Sequence, residues 1–267
     1  MGAKLGRELG AAPEATASAF FGYAPAHVRP TVFGSMNKPL LSAALFLSLA
    51  IVLRAGPAMN TLTADEKAAG WKLLFDGKIT AGWRAVGKEE FPAVGWTAED
   101  GVFKHTKGGG DIVTTESFEN FELSWDWNIS EGGNSGLKYI LPDPHKGIGF
   151  EYQLLDDLKH PDGVKGGRLH QTAGLYDLIE PSMDRKVNPP GQWNTSRLII
   201  SGNKVEQWLN GVKTVAFELG SEDLKARIAK SKYKGIPKFG EKTNSPILLQ
   251  DHGDPIDFRN IKIRVIK

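Results

Sequence analysis

Two polar side chains share one face of a strand-like segment at residues 149–157, GFEYQLLDD. Side chains alternate between the faces of a β-strand, so Glu151 and Gln153 point one way, ~6.6 Å apart, while Phe150 and Tyr152 point the other. A carboxylate beside an amide can bind sugar hydroxyls or take part in proton transfer. An ordinary solvated strand face has the same pattern, so both interpretations stay open.

A histidine follows an apolar pair near the C-terminus, in the segment LLQDHGDP at residues 248–255. Alternation places Gln250 and His252 on one side and Asp251 on the other. Because the unperturbed pKa of histidine is about 6.5, His252 can act as an acid or a base near neutral pH. A purely structural histidine is the alternative.

One cation and two aromatic residues are further candidates. Lys138 follows the glycine-rich turn at 132–136 and can stabilise an oxyanion, although an exposed charge is the simpler interpretation. Trp193 and Trp208 are candidate stacking platforms for a ligand, with buried packing as the alternative for both.

Motifs for metals and cofactors are weak. The chain has no Cys, which excludes disulfides, thiolate-bound metals and a thiol nucleophile. Its histidines lack the H-E-x-x-H spacing, and no dinucleotide-binding or P-loop motif is present. A Ca²⁺ or Mn²⁺ ion held by oxygen ligands stays open, with its ligands unassigned. Carboxylates that offer a glycosidase-type pair are Glu151, Asp156, Asp157 and Asp251.

Short strands must position these residues. The segment FELSWDWNI at residues 121–129 alternates strictly between apolar and polar side chains, which predicts a half-buried strand. Residues 197–218 form a predicted meander with turns at Gly202-Asn203 and Asn210-Gly211, because Asn-Gly suits the positive φ angles of tight hairpins. The terminal strand changes phase near Arg259-Asn260, which predicts a β-bulge.

Helix is scarce in the rest of the chain. Thr63 and Glu66 form a predicted capping box, and Ser221 is a predicted N-cap for a helix over 221–232. Many short alternating strands with few helices predict an all-β fold, a two-sheet antiparallel jelly-roll sandwich of the concanavalin A/LamG-like kind with one or two short helices.

The first 58 of the 267 residues read as a leader. A basic residue, an apolar run and small residues follow one another in KPLLSAALFLSLAIVLRAGPA, which predicts a signal peptide over 36–58. Residues 1–35 are then a mis-assigned start or disordered. The expected protein is secreted or periplasmic, with no stable membrane span after cleavage and one domain over 59–267. An uncleaved anchor is the alternative.

Charge excludes one class of partner. The leader holds five of the 33 basic and two of the 31 acidic residues, which leaves a formal charge of −1 on residues 59–267. A nearly neutral domain attracts no polyanion, so nucleic acid is not an expected partner. The oligomeric state is left open.

A series of segments resembles the 3-keto-disaccharide hydrolase domain family. The resemblance covers residues 71–267, where the motifs occur in this order: LFDGK, GWTAEDGVFK, FELSWDWNIS, GGNSGLKY, GFEYQLLDD, TAGLYDLI, GQWN, ISGNKVEQWLNG, ILLQDHG and DFRNIKIR. Each motif alone is weak, but ten in one order are specific. The family's concanavalin A-like sandwich agrees with the strand pattern.

The resemblance implies an enzyme that acts on a 3-keto-glycoside. A ketone at C3 acidifies the C2 proton, so a base can form an enolate, eliminate the C1 substituent and let water add to the enone. We expect Glu151 as the base, His252 as the alternative base, and Lys138 or Gln250 polarising the ketone. The expected substrate-binding residues are Gln153, Asp156, Tyr176, Trp193, Asn194, Trp208, Gln250 and Arg259. A non-catalytic carbohydrate-binding module is the alternative function.

Overall fold

Alternating apolar and polar side chains build two antiparallel sheets. The computed structural model describes residues 58–267. The helices are α1 Ala64–Ala68, α2 Pro161–Gly166 and α3 Glu222–Lys230. The strands are β1 Trp71–Leu73, β2 Trp83–Ala85, β3 Trp96–Glu99, β4 Val102–His105, β5 Ile112–Thr114, β6 Phe121–Ile129, β7 Asn134–Asp143, β8 Ile148–Leu155, β9 Asn194–Ser201, β10 Lys204–Leu209, β11 Val212–Glu218, β12 Leu248–Leu249 and β13 Ile256–Val265.

Non-consecutive strands pair within both sheets. The larger sheet has eight strands in the order β11-β10-β9-β6-β13-β4-β3, with β1 also paired to β13. The smaller sheet has five strands in the order β2-β5-β12-β7-β8. Every pair is antiparallel, which confirms the predicted all-β jelly-roll sandwich with few helices.

The core is rich in aromatic side chains, which the inner faces of the two sheets contribute. Trp125 and Trp127 of β6 and Tyr152 of β8 are fully buried, as the alternating pattern predicts. The hydroxyl of Tyr152 donates to the Trp208 carbonyl oxygen at 2.9 Å, and Ser196 donates to the same hydroxyl at 2.9 Å. Because these bonds join the sheets, the inner face of β8 is fixed and its odd-numbered residues face outward.

The predicted turns are confirmed. Asn210 and Gly211 both adopt positive φ between β10 and β11, at 46° and 81°, as a two-residue hairpin of this type requires. The capping box of Thr63 and Glu66 is present at α1. Ser221 caps α3, whose helical residues end slightly earlier than predicted.

The predicted bulge lies in β13. Its register against β6 shifts between Arg259 and Lys262, and Asn260 has a φ of 53°. Two reciprocal hydrogen bonds link the bulge to the N-terminal segment, because Asn60 N donates to Asn260 Oδ1 at 2.7 Å and Asn260 N donates to Asn60 Oδ1 at 2.8 Å.

Replacing Asn260 with alanine is expected to destabilise the domain. The left-handed backbone costs an alanine about 1 kcal/mol or more, and the loss of side-chain hydrogen bonds costs about 1 kcal/mol more. We expect the free energy of unfolding to fall by about 2–3 kcal/mol in urea titrations. Asn203→Ala, at an exposed turn position, is the control, and an equal loss in both variants would contradict a special role for the bulge.

The predicted leader lies outside the described residues. Residues 1–57 are not described, so this includes all of the predicted signal segment except Ala58. Among residues 58–267, no helix is both long enough and apolar enough to cross a membrane.

Candidate active site

A cavity of about 300 Å³ lies on the outer face of the smaller sheet. Because Phe150, Tyr152 and Leu154 are directed into the core, the intervening residues of β8 face the cavity. Six of the eleven predicted site residues line it: Lys138, Glu151, Gln153, Tyr176, Gln250 and His252. The segments 149–157 and 248–255 therefore meet at one cavity.

Strand register sets the spacing of the central groups. Lys138 of β7 lies directly opposite Glu151 of β8, and Gly136 lies opposite Gln153. On the other side of β7, Gln250 N donates to the Gly136 carbonyl oxygen at 3.0 Å. These side chains thus occupy neighbouring positions of a hydrogen-bonded sheet, about 4.8 Å apart from strand to strand.

Gly136 leaves room for the carboxylate and the amide beside it. A Cβ atom at this position would lie 2.8 Å from Oε1 of Gln250 and 3.1 Å from both Cγ and Oε1 of Glu151. Real Cβ contacts are essentially never shorter than 3.0 Å. The cavity floor therefore requires glycine if Glu151 and Gln250 are to keep these positions.

Burial controls the charge of Glu151. Its side chain is 4% exposed, and the loss of hydration raises its pKa above the ordinary value of 4.5, while the charges of Lys138 and Lys232 oppose the rise. Its carboxylate accepts no hydrogen bond from residues 58–267. A carboxylate that is poorly solvated and free of hydrogen bonds is a stronger base than an exposed one.

Glutamine at position 151 should increase stability at neutral pH. A carboxyl whose pKa is raised by folding holds its proton more tightly in the native state, so its ionisation destabilises the fold as the pH rises above 4.5. We expect Glu151→Gln to raise Tm at pH 8 by about 2–4 °C, or about 1 kcal/mol. The difference should vanish below pH 4. A difference that is constant with pH would contradict the raised pKa.

His252 is held on a rigid loop beside the cavity. Asp251 N donates to Asp111 Oδ1 at 2.9 Å, and Gly110 N donates to Asp251 Oδ2 at 2.9 Å. His252 is exposed, yet partial loss of hydration lowers its pKa, and the charge of Lys138 lowers it further. The imidazole is therefore neutral at physiological pH and can accept a proton.

Three amide side chains have unused hydrogen-bonding atoms in the cavity. These are Nε2 of Gln153, Oε1 of Gln250 and Oδ1 of Asn134, which are buried and have no hydrogen-bond partner among the described residues. Buried polar atoms are normally satisfied, because an unmade bond costs about 1–3 kcal/mol. One donor group and two acceptors around one cavity suit a ligand with several hydroxyls.

Tyr176 enters the cavity from the loop beside β8. Its backbone N donates to the Glu151 carbonyl oxygen at 3.0 Å, which extends the sheet edge. Its ring stacks on His170 with centroids 4.4 Å apart, and His170 contacts Asp162 at 2.7 Å and Asp177 at 3.4 Å. Burial raises the pKa of Tyr176, and the neighbouring Asp162 raises it further, so the phenol is neutral.

Sequence reasoning missed several lining residues. Asn134, Asp162, Lys232 and Tyr233 also reach the cavity. Lys232 and Tyr233 follow α3, about 80 positions after Glu151 in the chain, and no local pattern marked them. Only Asn134 had a usable signal, since it belongs to the glycine-rich turn that precedes Lys138.

Asp156 and Asn194 lie away from the cavity and stabilise loops. The Asp156 carboxylate accepts hydrogen bonds from the backbone of Gly132 at 2.8 Å and of Leu158 at 3.2 Å. Asn194 Oδ1 accepts from Asn188 N and from Asn210 Nδ2, both at 2.8 Å. Because these polar atoms already have partners, substrate binding by the two residues in this cavity is not supported.

Trp193, Trp208 and Arg259 do not line the cavity either. Arg259 and Trp208 lie on the outer face of the larger sheet, and the Arg259 guanidinium stacks 3.9 Å from the Trp193 ring centroid. Trp208 donates to Glu206 at 3.0 Å and lies near two cations. These three residues lie across the sandwich from the cavity, and their contact with substrate stays a prediction.

No group of three or more His, Asp or Glu side chains within residues 58–267 is arranged to hold a metal ion. The Ca²⁺ or Mn²⁺ alternative has no assigned ligands.

Comparison with known proteins identifies the family. A profile described as a 3-keto-alpha-glucoside-1,2-lyase-like domain matches residues 70–264. The chain belongs to this family. Glu151 and His252 both lie within the matched residues.

Relatives agree with the family assignment. A 3-keto-disaccharide hydrolase of Bacteroides thetaiotaomicron is 32% identical over 241 residues, which cover 78% of this chain and 82% of that protein. This chain is a glycoside hydrolase-like enzyme. A crystal structure described as a glycosyl hydrolase from Parabacteroides distasonis is 38% identical, with a TM-score of 0.72, and covers 78% of this chain and all of that one. A second from the same organism is 28% identical, with a TM-score of 0.59, and covers 73% of this chain and 99% of that one.

Proposed function

We propose that the enzyme cleaves 3-keto-glycosides by removing the C2 proton, eliminating the C1 substituent and adding water. The cross-strand pair of Glu151 and Lys138 in a cavity with unused amide groups carries the proposal. The named relative, a 3-keto-disaccharide hydrolase, supports the substrate class.

Glu151 takes the C2 proton in the first step. The electron pair of the C–H bond forms the C2–C3 double bond, and the ketone oxygen becomes an enolate. When the ketone re-forms, the C1–C2 double bond is made and the bond from C1 to the leaving oxygen breaks. The leaving oxygen takes a proton from Glu151, which holds the proton removed from C2 in the first step.

Water completes net hydrolysis. It adds to C1 of the enone, and a proton returns to C2, so the 3-keto sugar is released with no change in oxidation state. The ordinary glycosidase route needs two carboxylates flanking an oxocarbenium ion. In the cavity, Glu151 faces a cation instead of a second carboxylate on the neighbouring strand, which favours enolate chemistry.

The size of the cavity supports a small substrate. Its volume of about 300 Å³ lies at the lower end of the range for small-molecule sites, ~300–1,000 Å³. Such a site accommodates one keto-sugar ring, with the leaving group directed toward solvent.

The decisive experiment compares oxidised and unoxidised substrates. Purified protein is incubated with a 3-keto-glucoside and with its unoxidised parent, and the released aglycone is measured. We expect release only from the 3-keto compound, since the parent has no acidic C2 proton. Release from neither compound would refute the function for these substrates, and release from the parent would indicate an ordinary glycosidase.

A non-catalytic carbohydrate-binding module is the second candidate, because Trp193 and Trp208 offer aromatic rings on the larger sheet. The enzyme proposal predicts that Trp208→Ala leaves turnover within about twofold of wild type, because the ring lies across the sandwich from the cavity. Turnover of the 3-keto-glucoside is the measurement. A binding module would lose sugar affinity in Trp208→Ala and keep it in Glu151→Gln.

We also propose that the protein acts outside the cytoplasm, in the periplasm or after secretion. The pattern of residues 36–58 supports this, with a basic residue followed by an apolar run and small residues. N-terminal sequencing of protein from the periplasmic fraction tests it, and a chain that retains residues 36–58 in the cytoplasmic fraction would contradict it.

A further inference from the structure

Lys232 is a second cation in the cavity. It lies two residues after the end of α3, and its backbone N donates to Asp177 Oδ2 at 2.7 Å. Its Nζ lies 3.9 Å from the ring centroid of Tyr176 and 5.2 Å from that of Tyr233. The side chain therefore approaches from the covering loops, whereas Lys138 and Glu151 belong to the sheet.

The two lysines differ in what they already bind. Lys138 Nζ donates to the Gly147 carbonyl oxygen at 3.2 Å, and its strand position opposite Glu151 suits it to hold that carboxylate ionised. Among residues 58–267, Lys232 Nζ has aromatic faces beside it but neither a hydrogen-bond acceptor nor an ion-pair partner. Its three N–H donors are free for a ligand.

Lys232 lines the cavity and stays exposed to solvent, so its ammonium can reach a ligand bound there. The aromatic faces attract the ammonium, but they satisfy none of its N–H donors. Such an arrangement is expected where negative charge develops on a bound ligand during reaction. In the proposed reaction, that charge develops on the C3 oxygen.

We propose that Lys232 donates to the C3 oxygen of the substrate and stabilises the enolate, which Lys138 and Gln250 were expected to do. The assignment rests on the proposed function. As Glu151 takes the C2 proton, the electron pair moves through C2–C3 onto the C3 oxygen, which the ammonium neutralises. Lys232 keeps its proton, and the charge returns to the leaving oxygen when the C1–O bond breaks.

The electrostatics agree with this geometry. Partial loss of hydration lowers the pKa of Lys232, whereas the Glu151 carboxylate opposes the change. A lowered pKa makes the ammonium a stronger hydrogen-bond donor, closer in acidity to an enol, so the bond strengthens as the enolate forms.

The test separates enolate formation from bond cleavage. A 3-keto sugar without an exocyclic C1 substituent, 1,5-anhydro-3-keto-glucitol, can lose its C2 proton but has no aglycone to expel. Exchange of this proton in D₂O is followed by NMR, and kcat for a 3-keto-glucoside is measured in parallel. Lys232→Met keeps the aliphatic length, Lys232→Arg keeps the charge, and Lys138→Met is the matched control.

We expect Lys232→Met to lower kcat and the C2 exchange rate by the same factor, about 10²–10³. Its KM and thermal stability should change little, and Lys232→Arg should recover part of both rates. A kcat within fivefold of wild type would overturn the proposal. Loss of cleavage with a normal C2 exchange rate would also overturn it, because Lys232 would then act on the leaving group. A larger exchange defect in Lys138→Met than in Lys232→Met would overturn it as well.

Failure of the inference and failure of the proposed function look different. If the wild-type enzyme neither cleaves the 3-keto-glucoside nor exchanges the C2 proton, the proposed function itself is wrong. If the wild type does both and Lys232→Met does the same, only the assignment of Lys232 is wrong.

Discussion

Replacing Glu151 with glutamine is expected to remove turnover of a 3-keto-glucoside while the protein stays folded. Glutamine has nearly the same shape, so it fills the same space opposite Lys138 but accepts no proton from C2. A positioned base contributes about 10²–10⁴-fold, and we expect a fall in kcat of this size with KM nearly unchanged. Initial rates with the purified variant measure it.

The control for this prediction is a carboxylate on the other sheet. Glu206 belongs to β10 and pairs with Lys213 at 2.8 Å, so Glu206→Gln should leave kcat within about twofold. If Glu151→Gln keeps more than a tenth of the wild-type kcat, Glu151 is not the base. His252 is then the remaining candidate for the base, and His252→Asn should show the fall in kcat that Glu151→Gln did not.

Adding one methyl group at Gly136 is expected to disable the site at little cost in stability. The new Cβ atom would lie 2.8 Å from the Gln250 amide oxygen and 3.1 Å from the Glu151 carboxylate oxygen. Both are ends of flexible side chains, so they can move away. A displacement of about 1 Å at reacting groups can cost about 10²-fold in rate. We expect Gly136→Ala to lose about that much of kcat, with Tm within a few degrees of wild type.

A double variant tests the cause of that loss. Gln250→Ala removes one of the two crowded side chains, so Gly136→Ala combined with Gln250→Ala should be no slower than Gly136→Ala alone. Gln250→Ala by itself supplies the reference rate. A full wild-type rate in Gly136→Ala would show that the floor of the cavity tolerates a side chain, contrary to the contacts of Gly136.

The sandwich was predictable because its determinants are local. The alternation in β6 assigned Trp125 and Trp127 to the core, and the phase change near Asn260 located the bulge. A second irregularity in β7 was not predicted. Ile140 adopts a φ of 50°, and both it and Tyr139 pack in the core. An apolar run such as YIL gives no sign of such a register change.

Strand parity predicted which candidate residues share a face of a strand, but not which sheet's outer face carries the cavity. Parity says whether a side chain faces the core or points outward, and it assigned Glu151 and Gln153 outward correctly. It does not say which of the two outer faces of a sandwich holds the ligand. Trp208 and Arg259 also point outward, but from the other sheet. Asp156 follows the end of its strand, where alternation no longer applies.

Lys232 shows what sequence reasoning lacks entirely. Its position depends on the bond of its backbone to Asp177 and on the packing of Tyr233 against Phe239, 4.2 Å between ring centroids. The first contact joins residues 55 positions apart in the chain. The second fixes a turn that has no repeating sequence pattern. No periodicity within the helical segment distinguishes Lys232 from the other lysines near it.

The division of the cavity between a sheet and its covering loops has an evolutionary consequence. Glu151, Lys138 and Gly136 are locked together by ladder hydrogen bonds, whereas Tyr176 and Lys232 belong to connections between the named strands. Insertions in those connections can reshape the entrance for a new aglycone without disturbing the base. Grafting the corresponding loops between family members is therefore a route to new substrate preference on an unchanged reaction centre.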